Sequence, residues 1–136
     1  MLKKLLSTDL SKFIDINLSI LLLRFGAGAV LFTHGLPKLM KVFSGDFSFA
    51  DPIGLGPELS LILAAFAEGI CSLFVVVGFG TRLSSLVITI NMAVALFIQH
   101  AGDPFGQKEK ALLFLLMFMI TFFTGGGKYS LDKKIA

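Results

Sequence analysis

Six residues of this chain could do chemistry because they sit where polar groups are costly: Arg24, His34, Lys38, Glu68, Asn91 and His100. Each lies within or at the edge of a long apolar run. A charged side chain deep in a membrane helix costs roughly 2.5–3.5 kcal/mol on insertion scales, so it needs a partner or a task. Three of the six share the stretch from Leu22 to Lys41. At ~100° per residue, Arg24, His34 and Lys38 fall within an arc of about 80°. Gly28, Leu31 and Gly35 lie on or near that arc, where small residues let a neighbouring helix approach closely. This face is expected to look inward and to take its partners from other helices.

Glu68 is the sharpest single feature. It supports an ion pair with Arg24 that fixes helix register. It equally supports a carboxyl tuned by desolvation and a nearby cation, placed to exchange a proton or anchor a ligand. Glu68 and His34 are the candidates for proton exchange. Arg24, His34, Lys38, Glu68, Asn91 and His100 are the candidates for ligand binding, and Asn91 also suits an interhelical hydrogen bond. The two histidines lack the supporting motifs of a haem pair. They make a metal site only if they converge with a carboxylate, and no metal is expected. A quinone headgroup fits better: its carbonyls need donors such as His and Lys, and its ring and tail need an apolar wall. The plainer alternative leaves each histidine at the membrane interface.

The elements that must hold these residues follow from composition. Of 136 residues, 55% are hydrophobic and only 15% charged, against about 25% charged in ordinary soluble domains. This implies one small membrane domain. The net charge of +3 sits mostly in the tails, which suggests topology and lipid contact and no nucleic-acid partner. A single cysteine, Cys71, excludes an intrachain disulfide or a CxxC redox pair.

Residues 1–17 place leucines at helical spacing among Lys3, Lys4 and Lys12, the pattern of an amphipathic helix on the membrane surface. Residues 18–132 form the membrane domain, with spans expected over about 18–39, 58–79, 83–101 and 109–125, and a polar tail at 133–136. Pro37 is expected to loosen the end of the first span. Residues 40–56 should form an interfacial or partly re-entrant cap. Gly78-Phe79-Gly80 and Gly125-Gly126-Gly127 read as helix stops. The expected fold class is therefore all-α, a four-helix integral membrane bundle with an N-terminal interfacial helix. Four spans put both termini on one side. That side holds Lys3, Lys4, Lys12, Arg82, Lys128, Lys133 and Lys134, against Lys38, Lys41, Lys108 and Lys110 on the other, which favours cytoplasmic termini.

These residues also resemble a family. Arg24 followed by Thr33-His34-Gly35-Leu36-Pro37-Lys38-Leu39 is similar to the first-helix signature of the DoxX family of small bacterial membrane proteins. Glu68 resembles that family's buried acidic residue. Its remaining motifs are matched by Gly78-Phe79-Gly80-Thr81-Arg82, by the Glu109 expected to open the last helix, and by the run from Gly125 through Gly127, Ser130 and Asp132. The resemblance implies a four-helix bundle in the bacterial inner membrane. It also implies a loose link to redox chemistry: a subunit of a thiosulfate:quinone oxidoreductase, or a partner of superoxide dismutase and a sulfurtransferase. It supports fold strongly and reaction weakly. The expected function is a membrane subunit of a quinone-linked or oxidative-stress redox system, an oxidoreductase subunit and not a self-sufficient enzyme. It would carry no covalent cofactor and would work with partner redox proteins or as a homo-oligomer. The alternatives are a non-catalytic anchor or assembly partner, and a small-molecule transporter.

Overall fold

The computed structural model describes residues 1–9 and 15–136. Among the described residues six helices follow one another: α1 (Leu2–Leu5), α2 (Ile16–Ser44), α3 (Pro57–Val77), α4 (Thr81–Gln99), α5 (Phe105–Thr124) and α6 (Leu131–Ile135). Among the described residues there is no strand. Three helices, α2, α3 and α4, are long and apolar enough to cross a membrane. The fourth long helix, α5, carries Lys108, Glu109 and Lys110 in its first two turns.

The amphipathic helix expected over 1–17 is short among the described residues. Leu2–Leu5 is helical there, Ile16 and Asn17 already belong to α2, and residues 10–14 lie outside the described residues. The helix α2 starts earlier than expected because Asp15 caps it, accepting a hydrogen bond from the Asn17 N–H at 2.9 Å. It also ends later. Pro37 does not loosen the last turn, and the helix continues to Ser44, where Gly45 adopts the left-handed conformation that closes it. Likewise Glu109 does not open the last helix. Pro104 caps it, and Glu109 falls in its second turn.

The helix α2 packs along the full length of α3, and α4 packs along α5. The helices α3 and α4 also meet, and α2 touches α5 over a smaller area. Between them lies a core that includes Leu31, Val75, Ile88, Met92 and Phe118. The small residues of α2 make its contact with α3 possible. A Cβ on Gly28 would meet the Ser72 carbonyl and Val76, and one on Gly35 would collide with the carbonyl of Glu68 and the N of Gly69. Small residues at helix interfaces admit this approach, as the spacing of Gly28 and Gly35 predicts. A buried hydroxyl pair, Ser85 and Thr121 at 2.7 Å, ties α4 to α5.

Two of these helices change pitch. Residues Phe66–Cys71 of α3 and Ala95–Gln99 of α4 are π-helical. Such segments widen the helix by one residue and leave a bulge in the wall.

Candidate functional site

Glu68 stands on the π-helical segment of α3, 8% exposed. Its placement follows from Gly35. Because α2 presses its backbone onto the turn carrying Glu68, Lys38, one turn further along α2, reaches the carboxylate. Lys38 Nζ donates to Glu68 Oε2 at 2.7 Å and to the His34 carbonyl at 3.2 Å. Asn91 Nδ2 of α4 donates to the other oxygen, Oε1, at 2.9 Å. Both carboxylate oxygens are thus satisfied by donors from two different helices. Ser72 further supports the segment by donating to the Glu68 and Gly69 carbonyls.

This triad forms the inner wall of a cavity of about 650 Å³ between α3 and α4. Apolar side chains such as Leu63, Phe66, Val87, Ile90 and Val94 make its sides. Leu63, Phe66 and Ile90 are 46%, 43% and 57% exposed, so the cavity opens on the outer surface of the helices. The 45–56 loop covers its end through Phe49, Pro52, Ile53 and Leu55. That loop is pinned in place: Asp51 accepts from the Gly56 N–H and the Ser60 hydroxyl, and Lys41 donates to the Ser48 carbonyl. Hydrogen bonds from Ser48 also hold the Asp46 carboxyl below its ordinary pKa. His100 and Gln99 line the same end of the cavity. His100 Nδ1 pairs with Asp103 Oδ2 at 2.7 Å, which orients its ring.

Four of the candidate ligand residues are therefore brought to one cavity: Lys38, Glu68, Asn91 and His100. His34 and Arg24 are not among its lining residues. His34 stands on the α5 side of α2, edge-on to Phe114 with ring centroids 6.0 Å apart. Among the described residues there is no cluster of three or more metal-ligating side chains.

Arg24 makes a second polar centre at the opposite end of the helices. The expected ion pair with Glu68 does not form, because Arg24 meets the C-terminal end of α3. It is fully buried, and its guanidinium donates to the carbonyls of Val75 at 2.9 Å, Val76 at 3.0 Å and Tyr129 at 2.5 Å. The last carbonyls of a helix have no intrahelical partner, and a planar guanidinium can serve several at once. The glycine motifs build this centre. A Cβ on Gly78 would strike both Ser130 and Arg24, and one on Gly126 would press on Ser130 and Thr81. Asp132 then accepts from the Gly80 and Thr81 N–H groups at 2.7 and 2.9 Å, capping α4 from the tail. Burial opposes the Asp132 charge, but the Thr81 and Gly80 hydrogen bonds and the nearby Arg24 outweigh it and hold its pKa below the ordinary value. Arg82 reaches the Phe123 carbonyl, and the Gly127 carbonyl accepts from Ser130. The start of α2 joins the same end, where Asn17 accepts from the Lys128 N–H.

Sequence reasoning passed over Gln99, Asp103 and the apolar loop residues of the cavity. It also passed over the π-helical pitch that aims Glu68. The small residues around Glu68, Ala64-Ala65 and Ala67 with Gly69, signal close helix packing there and carry no sign of the pitch.

The fold and the two polar centres define a small all-helical membrane protein. It belongs to the DoxX family, whose model matches residues 19–101. The chain is similar to an uncharacterized protein of Haemophilus influenzae (strain ATCC 51907 / DSM 11121 / KW20 / Rd), 28% identical over 82% of this chain and 87% of that one. It is also 31% identical to the "Putative oxidoreductase CatD" of Bacillus subtilis (strain 168), over 82% of this chain and 83% of the relative. No solved structure matches the chain.

Proposed function

We infer that this protein is a membrane subunit of a redox system that holds a quinone-like carrier in the cavity between α3 and α4. The observation that carries this reading is the Lys38–Glu68–Asn91 triad at the inner end of an apolar cavity. A carrier of this kind has a compact polar head and an apolar body. Lys38 and Asn91 would donate to its oxygens, and Glu68 would exchange a proton with it. The exposed apolar rim at Leu63, Phe66 and Ile90 gives an entrance for a molecule dissolved in the bilayer. The relative named as an oxidoreductase supports the redox link. In this reading α5 is the fourth span, with Lys108 and Lys110 snorkelling to one interface. The domain is a four-helix bundle in the bacterial inner membrane. The excess of cations at the Arg24 end supports cytoplasmic termini.

The deciding experiment is a quinone inventory. Protein purified gently from its own membranes is extracted, and quinone is quantified for wild type and Glu68→Gln. Near-stoichiometric quinone in wild type, lost in a folded variant, supports the reading. Quinone at background in both overturns it.

One observation favours a second reading, an anchor or assembly partner without chemistry. Both oxygens of Glu68 are already engaged by protein donors, as a purely structural clamp would require. A Lys38→Met and Glu68→Gln double variant that folds and keeps the cellular phenotype supports the anchor. One that folds and loses the phenotype removes it.

A further inference from the structure

The seam between α2 and α5 is the loosest among the neighbouring long helices. A second cavity, of about 510 Å³, lies along it. Its floor is made by Ala27 and Phe114, both 5% exposed, and its rims by Leu22, Val30 and Leu113, all more than half exposed. Gly26 deepens it: a Cβ at this position would find no atom within 4 Å. The groove runs from Leu22 to Val30 along α2, about 12 Å at ~1.5 Å per residue. Almost everything lining it is apolar except one residue. Lys110 stands at the end nearer His34, close enough for the two groups to interact electrostatically. Lys108 precedes it by half a turn on the same helix.

We propose that this groove is a lipid site, holding one acyl chain of an anionic phospholipid whose phosphate pairs with Lys110. The apolar lining of the groove suits the headgroup-proximal half of a single hydrocarbon chain lying parallel to the helices. The cation at one end, at the depth where a lysine snorkels to the interface, suits a phosphate and disfavours a neutral head. The occupant is independent of the cavity between α3 and α4, which opens across a different pair of helices.

Gly26 supplies the test, because it lines the groove and a Cβ added there meets no atom within 4 Å, so a longer side chain would extend into the groove. The full chain is purified and exposed to equal amounts of phosphatidylglycerol and phosphatidylcholine in detergent, and retained lipid is counted by native mass spectrometry. Wild type is expected to keep one phosphatidylglycerol in preference to phosphatidylcholine. Lys110→Gln should lower that preference about fivefold, the factor expected of one lysine near an anionic lipid surface, with phosphatidylcholine retention unchanged. Gly26→Leu should remove both lipids while the melting temperature holds, and Gly26→Ala should keep them. Equal retention of the two lipids by wild type overturns the proposal. So does unchanged retention by Gly26→Leu. A shift of oligomeric state in Gly26→Leu, with lipid unchanged, would assign the groove to a second copy of the chain and also overturn it.

Discussion

Lys38 Nζ lies 2.7 Å from Glu68 Oε2, although the two residues belong to different helices and are 30 positions apart. The contact depends on Gly35, whose missing side chain lets α2 rest on the backbone of Glu68 and Gly69. Removing one partner of a buried pair leaves an uncompensated group and costs about 3–5 kcal/mol in fully buried cases. Lys38 keeps about a quarter of its side-chain surface exposed, so the cost here should be smaller. Lys38→Met and Glu68→Gln should each lower the melting temperature in detergent. Their combination should recover part of that loss, because neither group is then left without its partner. A double variant whose loss equals the sum of the singles would show that the pair is uncoupled.

Gly35→Ala tests the approach of the two helices directly. The added methyl meets backbone, which cannot swing aside, so overpacking should cost at least ~1–3 kcal/mol. Gly26→Ala is the matched control. Its methyl meets nothing, and replacing a mid-helix glycine should stabilise by roughly 0.5–1 kcal/mol. Thermal unfolding of the two variants side by side should therefore give shifts of opposite sign.

Arg24→Lys should fail to replace Arg24. The guanidinium reaches the carbonyls of Val75, Val76 and Tyr129 from one planar group. An ammonium is a compact point donor on a thinner stem and cannot span them in the same way. Folded yield from membranes should fall for Arg24→Lys and further for Arg24→Gln. Equal yields for arginine and lysine would refute the multi-carbonyl role.

Asp132 predicts an acid-sensitive tail. Its pKa is lowered in the folded protein, so the charged form is the one that folding favours. The stabilisation is therefore fully present above the unfolded value, near 4, and is lost as the pH falls through the lower folded value. Wild type should lose stability on acidification below about pH 4 more steeply than Asp132→Asn. Parallel melting curves from pH 6 to pH 3 make the comparison, and identical slopes would count against the cap.

The sequence made the inward face of α2 legible because a period of 3.6 residues and the cost of membrane charge act locally. Gly28, Leu31 and Gly35 are buried on that face, and Lys38 points to a partner on another helix. The partner itself was not legible. Depth counted along straight helices brings Arg24 within reach of Glu68 and leaves Lys38 nearer the interface, whereas the observed pairing with Lys38 turns on a backbone contact at Gly35 and on a change of pitch at Phe66–Cys71. The same limit hid the separation of His34 from the cavity. Two residues on one broad face of α2 can address different neighbours, here α3 for Lys38 and Phe114 of α5 for His34. The glycine motifs showed where helices stop, while their assembly around Arg24 depends on contacts between segments far apart in the chain.

The bond from Arg24 to Tyr129 joins residues 105 positions apart, and it sets an order in time. Arg24 is synthesised early and must wait until Tyr129 has been made. Asp132, which caps the start of α4, emerges 52 residues after Gly80. Residues 129–132 must therefore leave the ribosome before the Arg24 end can close. A chain stopped before Tyr129 would carry every long helix and still leave the base of α4 uncapped and one face of the guanidinium bare. Closure of this end is thus a late step of assembly, taken only after all the long helices have been made.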